Sequence, residues 1–212
     1  PDEVHALPWL MPEFASPEGR LKMSIHALVV ETPTQRIIVD TCLGNDKQGR
    51  SVPTWNNLHT PFLENMTAAG FPPESIDTVL CTHLHVDHVG WNTKLVGGKW
   101  VPTFANARYV FGKTEYEYWR DHSNEPDKNA VFTDSVKPIV DAGKADLVAS
   151  DARLADEITL IPTPGHSPGH MSVHIQSDGQ QGLLTGDVAH HPCQMAHLDW
   201  SSTVDSDPKQ SA

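Results

Sequence analysis

The window HLHVDHVG places His83, His85, Asp87 and His88 within six residues. Imidazole and carboxylate are the usual ligands of Zn²⁺ and its borderline neighbours. His83 and His85 follow the apolar run Thr78 to Thr82, which predicts a short strand; extended backbone points residues i and i+2 the same way. Asp87 and His88 then turn away, so one loop can serve two adjacent metals. Downstream, TPGHSPGH (Thr163 to His170) follows a predicted strand ending at Ile161, and its Pro and Gly residues favour a tight turn that presents His166. His170 suits a bracing role behind the ligands better than a ligand role. TGDV sets Asp187 at the end of the strand Gly182 to Thr185, where a carboxylate can bridge two cations. Each motif alone has a plain alternative, a polar loop or a turn cap; three motifs at three strand ends point to one metal site.

The elements that must position these residues alternate. Ser24 to Val30, Arg36 to Asp40, Arg108 to Phe111, Asp146 to Ala149, Glu157 to Ile161 and Met171 to Gln176 read as further strands. Thr60 to Ala69 reads as a helix with Thr60 as N-cap, Pro61 at the first helical position and Gly70 just past the end. Thr114 to Asp121 reads as a second helix, and Asn129 to Asp141 as a third despite Pro138 inside it. Val89 to Ala107, rich in Gly, Trp and Pro, reads as irregular. Strands interleaved with helices predict an α/β layered fold, with 1-212 as a single domain.

A net formal charge of −12 excludes a duplex nucleic-acid binder, which needs clustered Lys and Arg. No apolar run reaches the roughly 20 residues of a membrane helix. Three cysteines, Cys42, Cys81 and Cys193, are too few for a disulfide framework and match a reducing, cytoplasmic compartment; a removed signal peptide stays open.

These motifs resemble the metallo-β-lactamase superfamily, from about His26 to Pro208. The resemblance implies an αβ/βα four-layer sandwich with a dinuclear site along one edge. By that resemblance His83, His85 and His166 ligate a first metal, Asp87 and His88 a second, and Asp187 bridges them. Asp40, in IIVDT, matches an Asp that supports the metal loop. Further strings, ALVVETPTQRIIVDT, the insertion after HVDHVGW and GDVAHHPCQMAHLDWSSTVDSDPK, resemble the lactonase, arylesterase and methyl parathion hydrolase branch. His190 matches a position lining the substrate pocket there.

The implied chemistry is attack of a metal-bridging hydroxide on a small-molecule ester, lactone or phosphotriester, with Asp87 orienting the nucleophile and returning a proton, and with no Ser or Cys nucleophile. Two Zn²⁺ are favoured; Mn²⁺, Co²⁺ and Fe²⁺ remain open. Trp91, Trp100, Phe104, Tyr116, Tyr118 and Trp119 are expected to overhang the metals as an apolar wall. A mononuclear iron sulfur dioxygenase and a non-catalytic metal-binding relic are the competing readings. The superfamily adds a seventh ligand, a His well after the bridging Asp, which this chain does not show. The C-terminal portion is therefore expected to lie outside this sequence, leaving the second metal incompletely held beside an exposed apolar surface that a homodimer could cover. After Asp187 no closing apolar element is expected.

Overall fold

The computed structural model describes residues 2–123 and 126–211. Helix α1 (Asp2–His5) precedes the antiparallel pair β1 (Leu28–Glu31) and β2 (Arg36–Val39). Then come α2 (Phe62–Ala68), β3 (Thr78–Leu80), the short α3 (Val86–Val89), β4 (Thr93–Val96), β5 (Lys99–Pro102), β6 (Arg108–Gly112) and α4 (Lys113–His122). Helices α5 (Pro126–Val131) and α6 (Lys137–Asp141) flank a π-helical turn, and β7 (Ala145–Val148), β8 (Ile158–Pro162), β9 (Met171–Ser177), β10 (Gln180–Leu184) and α7 (Pro208–Ser211) follow.

The strands form a five-stranded sheet ordered β1-β2-β3-β6-β7 and a three-stranded antiparallel sheet ordered β10-β9-β8. In the first sheet β2, β3, β6 and β7 are parallel. Their side chains alternate between two cores. Ile37, Val39, Leu80 and Val110 face the second sheet and pack on Ile158, Leu160, Met171 and Val173. Ile38, Val79, Tyr109 and Phe111 face the helices and pack on Met66, Trp119, Val136 and Ile139. Parallel strands buried on both faces need such continuous apolar runs, and RIIV and TVL supply them. The order is therefore helix, sheet, sheet. The outer face of the second sheet, where the sandwich expects its other helix layer, carries the exposed Ile161 and Leu183.

Several expectations are corrected. The first strand starts at Leu28, not Ser24. Thr60 is not the helix cap: its N–H and hydroxyl both donate to Asn45 Oδ1, and Pro61 occupies the cap position. The stretch 89–107 holds the hairpin β4-β5, closed by Gly97-Gly98 at positive φ, a turn that this dipeptide favours. The helix expected around Pro138 is split into α5, the π-helical turn Phe132–Val136 and α6, so that Pro138 falls in the first turn of α6, where its missing N–H costs no bond. The segment after Asp187 does close on apolar surface: Cys193 and Trp200 pack with Val4, Leu10 and Ala15.

Parallel topology brings the C-terminal ends of β2, β3 and β6 to one edge, where Asp40, the histidine loop and α4 begin. The loops after β8 and β10 reach the same edge. The loop after β2 is zipped onto the histidine loop by three bonds: Thr41 N–H to His88 O at 2.7 Å, Gly90 N–H to Cys42 O at 2.7 Å and Trp91 N–H to Thr41 O at 2.9 Å. It is anchored further on by Lys47, which is fully buried. Its ammonium donates to Thr93 Oγ1 at 2.6 Å and to Asp134 O at 3.1 Å, and lies 3.6 Å from the Trp100 ring centroid. Arg50 binds the Asp134 carboxylate beside it at 2.9 Å.

Burial pushes Lys47 down to about 7, with Asp134 opposing. Between pH 7 and 10 the unfolded chain therefore holds a proton there that the folded chain has released, and that difference raises stability with pH. Relative to Lys47→Met, the wild type should gain stability across that window, by up to about 1.4 kcal/mol per pH unit. Denaturant unfolding at stepped pH measures it; a pH-independent difference would show that Lys47 stays charged.

Candidate metal centre

A neutral imidazole carries a lone pair on one nitrogen, and an acceptor for the proton on the other fixes which. The structure supplies such acceptors one by one. Asp40, just past the end of β2 at φ 57°, accepts the Thr82 N–H at 2.8 Å and the Thr82 hydroxyl at 2.9 Å. Because that hydroxyl donates to Asp40, it accepts from His83 Nδ1–H at 3.1 Å, leaving His83 Nε2 as the lone pair. Asp40 also accepts His88 Nδ1–H at 2.8 Å. His166 Nδ1–H donates to Asp205 at 2.7 Å, so its Nε2 is the free atom.

These free atoms converge. His83 Nε2 lies 2.9 Å from His85 Nδ1, and His85 Nδ1 lies 2.8 Å from His166 Nε2. Burial first, then the neighbouring imidazoles, holds His83 well below the usual histidine range and pushes His85 down to about 3. Both are neutral at pH 7, as ligands must be.

Asp187 follows β10, and its Oδ2 is the hub of the rest. It lies 3.2 Å from His88 Nε2, 3.3 Å from His190 Nε2, 3.5 Å from His166 Nε2 and 3.9 Å from His83 Nε2. Burial opposes its charge, yet His190 and His88 hold its carboxyl well below the usual range. Asp40 and Asp187 in turn raise His88 against burial, and Asp187 raises His190 against burial. His170 is the brace: it accepts the Asp187 N–H on Nε2 at 3.0 Å and donates Nδ1–H to Thr163 Oγ1 at 2.8 Å.

Three groups of ligand atoms each lie within 4.8 Å: His83, His85 and His166; His83, His88 and Asp187; His166, Asp187 and His190. Two ions could be held, sharing Asp187. The donor set fits cations, because four imidazoles point at one carboxylate oxygen and the Nδ1 of His190 is buried without a hydrogen-bond partner. Asp87 stands aside from these groups. Its carboxylate is 3.7 Å from His88 Nε2, and burial raises its pKa.

The aromatic wall is mostly absent. Trp91 stacks on Phe62, Phe104 is in the core, Trp100 covers Lys47, and Tyr116 and Tyr118 pack on Phe132 and His122. Only Trp119 reaches the site, edge-on to His85 at 5.2 Å. With Trp55, Leu84, Val86 and Val131 it lines an apolar pocket of about 120 Å³ against His85. A second cavity, about 320 Å³, runs from Asp87, His88, Asp187 and His190 between the exposed edges of β1 and β10.

Asp205 and Trp55 are the neighbours that motif reading missed; Asp205 sits in an Asp-rich string with no distinguishing spacing. Conversely, Gly165-His166-Ser167-Pro168-Gly169 has the G-x-S-x-G spacing of a nucleophile elbow. It is not one: Ser167 is fully buried and its hydroxyl donates to Glu115 at 2.8 Å. Cys42 is no nucleophile either, since burial, then Asp40 and Asp87, pushes its thiol up to about 12.

Residues 22–207 match the family model of the Metallo-beta-lactamase superfamily. The chain belongs to that superfamily. It is 25% identical over 189 residues to an N-acyl homoserine lactonase of Bacillus thuringiensis, covering 82% of this chain and 68% of the relative. Among solved structures, the hydrolase AbOPH superposes with a TM-score of 0.76 at 24% identity, over 95% of this chain and 69% of that one. AidC, a dizinc quorum-quenching lactonase, superposes at 0.67 and 22% identity, over 98% and 71%. The chain is thus a hydrolase of that superfamily, with His and Asp groups placed to hold metal. Among the described residues no helix is long and apolar enough to cross a membrane.

Asp40→Asn keeps the shape and tolerates the positive φ, but its amide nitrogen cannot accept a hydrogen bond. In metal-free protein it should cost about 1–3 kcal/mol of unfolding free energy, because Thr82 or His88 is left unpaired. A cost within about 0.5 kcal/mol of zero in denaturant unfolding would contradict the bonding pattern.

Proposed function

We propose that this chain, as one domain, is a dinuclear zinc hydrolase of lactones and related small esters, with phosphotriesters as a further class. The carrying observation is the double cluster: three imidazoles meeting at His85, and Asp187 joining that trio to His88 and His190. The lactonase relatives favour a lactone over other esters. His83, His85 and His166 would hold one ion, His88 with Asp87 the other, and Asp187 would serve both.

Bound there, two divalent cations supply Lewis acidity, bringing water's pKa near neutral and polarising the scissile carbonyl. The chain's own residues do the rest. Asp187 offsets the repulsion between the cations. Asp87, whose burial makes it a better proton holder than an exposed carboxylate, takes the nucleophile's proton and returns it to the leaving alcohol. His190, beside Asp187 on the cavity wall, faces the substrate's polar end. The apolar pocket at Trp55, Val86 and Trp119 receives an alkyl or acyl group.

Zinc-supplemented protein should carry two equivalents by elemental analysis and open an N-acyl homoserine lactone, with loss of activity on chelation and recovery with zinc. One iron per chain with thiol-dependent oxygen uptake would favour a sulfur dioxygenase instead. Metal uptake with no hydrolysis of lactone, aryl ester or phosphotriester would leave a binding relic.

His83→Ala and His166→Ala should each remove metal and hydrolysis while the fold survives. Retention of more than about a tenth of kcat, or about 1.4 kcal/mol of barrier, with full metal content would overturn the ligand assignment. Asp187→Asn should lower kcat more than stability, since the amide keeps the shape and loses the charge. Unchanged dinuclear occupancy and rate would reduce Asp187 to a turn residue.

A further inference from the structure

Glu115, in the first turn of α4, is a carboxylate buried to 1% exposure that the proposed chemistry does not use. A buried carboxylate is costly unless its lone pairs are filled. Here all four bonds come from groups beside the metal centre. Oε1 accepts the Leu84 N–H at 3.0 Å and the Trp119 indole N–H at 2.6 Å. Oε2 accepts the Ser167 hydroxyl at 2.8 Å and the Gly169 N–H at 2.9 Å.

The identity of these donors is what matters. Leu84 lies between His83 and His85. Ser167 directly follows His166, and Gly169 directly precedes His170, the brace of Asp187. Trp119 is the ring that packs on His85. The contact is close: a Cβ on Gly169 would come within 2.2 Å of the Glu115 nitrogen, so the loop lies directly on the start of α4. One carboxylate thus ties the loop after β3, in the first sheet, to the loop between β8 and β9, in the second.

We propose that Glu115 is a positioning residue for metal binding: it fixes the spacing between the His83–His85 pair and His166. The proposal rests on the ligand reading above. Partners that orient ligands typically account for about 10–100-fold in metal affinity.

The test uses the full chain, Glu115→Gln and Trp119→Phe, with zinc alone as the probe. Glutamine keeps the size but turns an NH₂ toward two of the four donors. Phenylalanine keeps a ring against His85 and removes one bond. Zinc affinity is measured by chelator competition, and Tm is recorded for stripped and zinc-loaded protein. Glu115→Gln should weaken zinc binding at least about tenfold and shrink the zinc-induced rise in Tm; Trp119→Phe should weaken it about threefold. A merely structural Glu115 would lower both Tm values equally and leave affinity unchanged, which overturns the proposal. If Glu115→Gln does not fold, Trp119→Phe and Ser167→Ala decide: unchanged affinity in both overturns it. Wild type that takes up no zinc overturns the ligand reading as well, whereas normal uptake by wild type and variants alike overturns only this inference.

Discussion

Six histidines crowd one edge of this molecule, and their chemistry depends on where each proton is held. An imidazole whose proton has no acceptor can rotate or change tautomer, and its lone pair then points nowhere in particular. Asp40 removes that freedom for two rings at once, directly for His88 and through the Thr82 hydroxyl for His83. Asp205 does it for His166 and Thr163 for His170. The Nε2 atoms of His83, His88 and His166 then face the centre of the cluster, while that of His170 accepts the Asp187 N–H. Without cations, Asp187 is balanced by His88 and His190; in the dinuclear reading proposed above, the same carboxylate would face two positive charges.

That arrangement explains why the fold is built from short, doubly buried strands. Positioning to a few tenths of an ångström requires rigid elements behind each loop. The parallel strands β2, β3 and β6 deliver Asp40, the histidine loop and Glu115 to one edge, and the second sheet delivers His166 and Asp187 opposite them. The apolar pocket at Trp119 and Val86 abuts His85, on one side of the cluster, while the larger cavity opens on Asp87, His190 and the edges of β1 and β10.

Much of this was legible in the chain. Ligand-type residues packed into HLHVDHVG, and a His and an Asp after two later apolar runs, suffice to foresee a metal site at strand ends. Most strands were legible from their β-branched, apolar runs. What escaped has a physical cause in each case. Glu115 and Asp205 act through long-range bonds, 54 and 39 residues away in sequence, and a lone carboxylate carries no local signature. The aromatics of the insertion were placed over the metals by composition alone, but the hairpin β4-β5 sets Trp100 on Lys47, while Trp91 stacks on Phe62 and Tyr116 packs on Phe132. That hairpin was readable from Val96-Gly97-Gly98-Lys99 and was hidden by the surrounding Trp and Pro residues. The GHSPG string shows the converse: local spacing suggests a nucleophile that burial and a bond to Glu115 exclude.

The central claim is that the cluster holds two ions and that Asp187 lies between them. Anomalous diffraction at the zinc absorption edge, from crystals grown with zinc, tests it most directly. Two peaks are expected, one among His83, His85 and His166 and the other beside His88 and Asp87, with Asp187 touching both. No peak there, or a single peak at a site remote from Asp187, would contradict it.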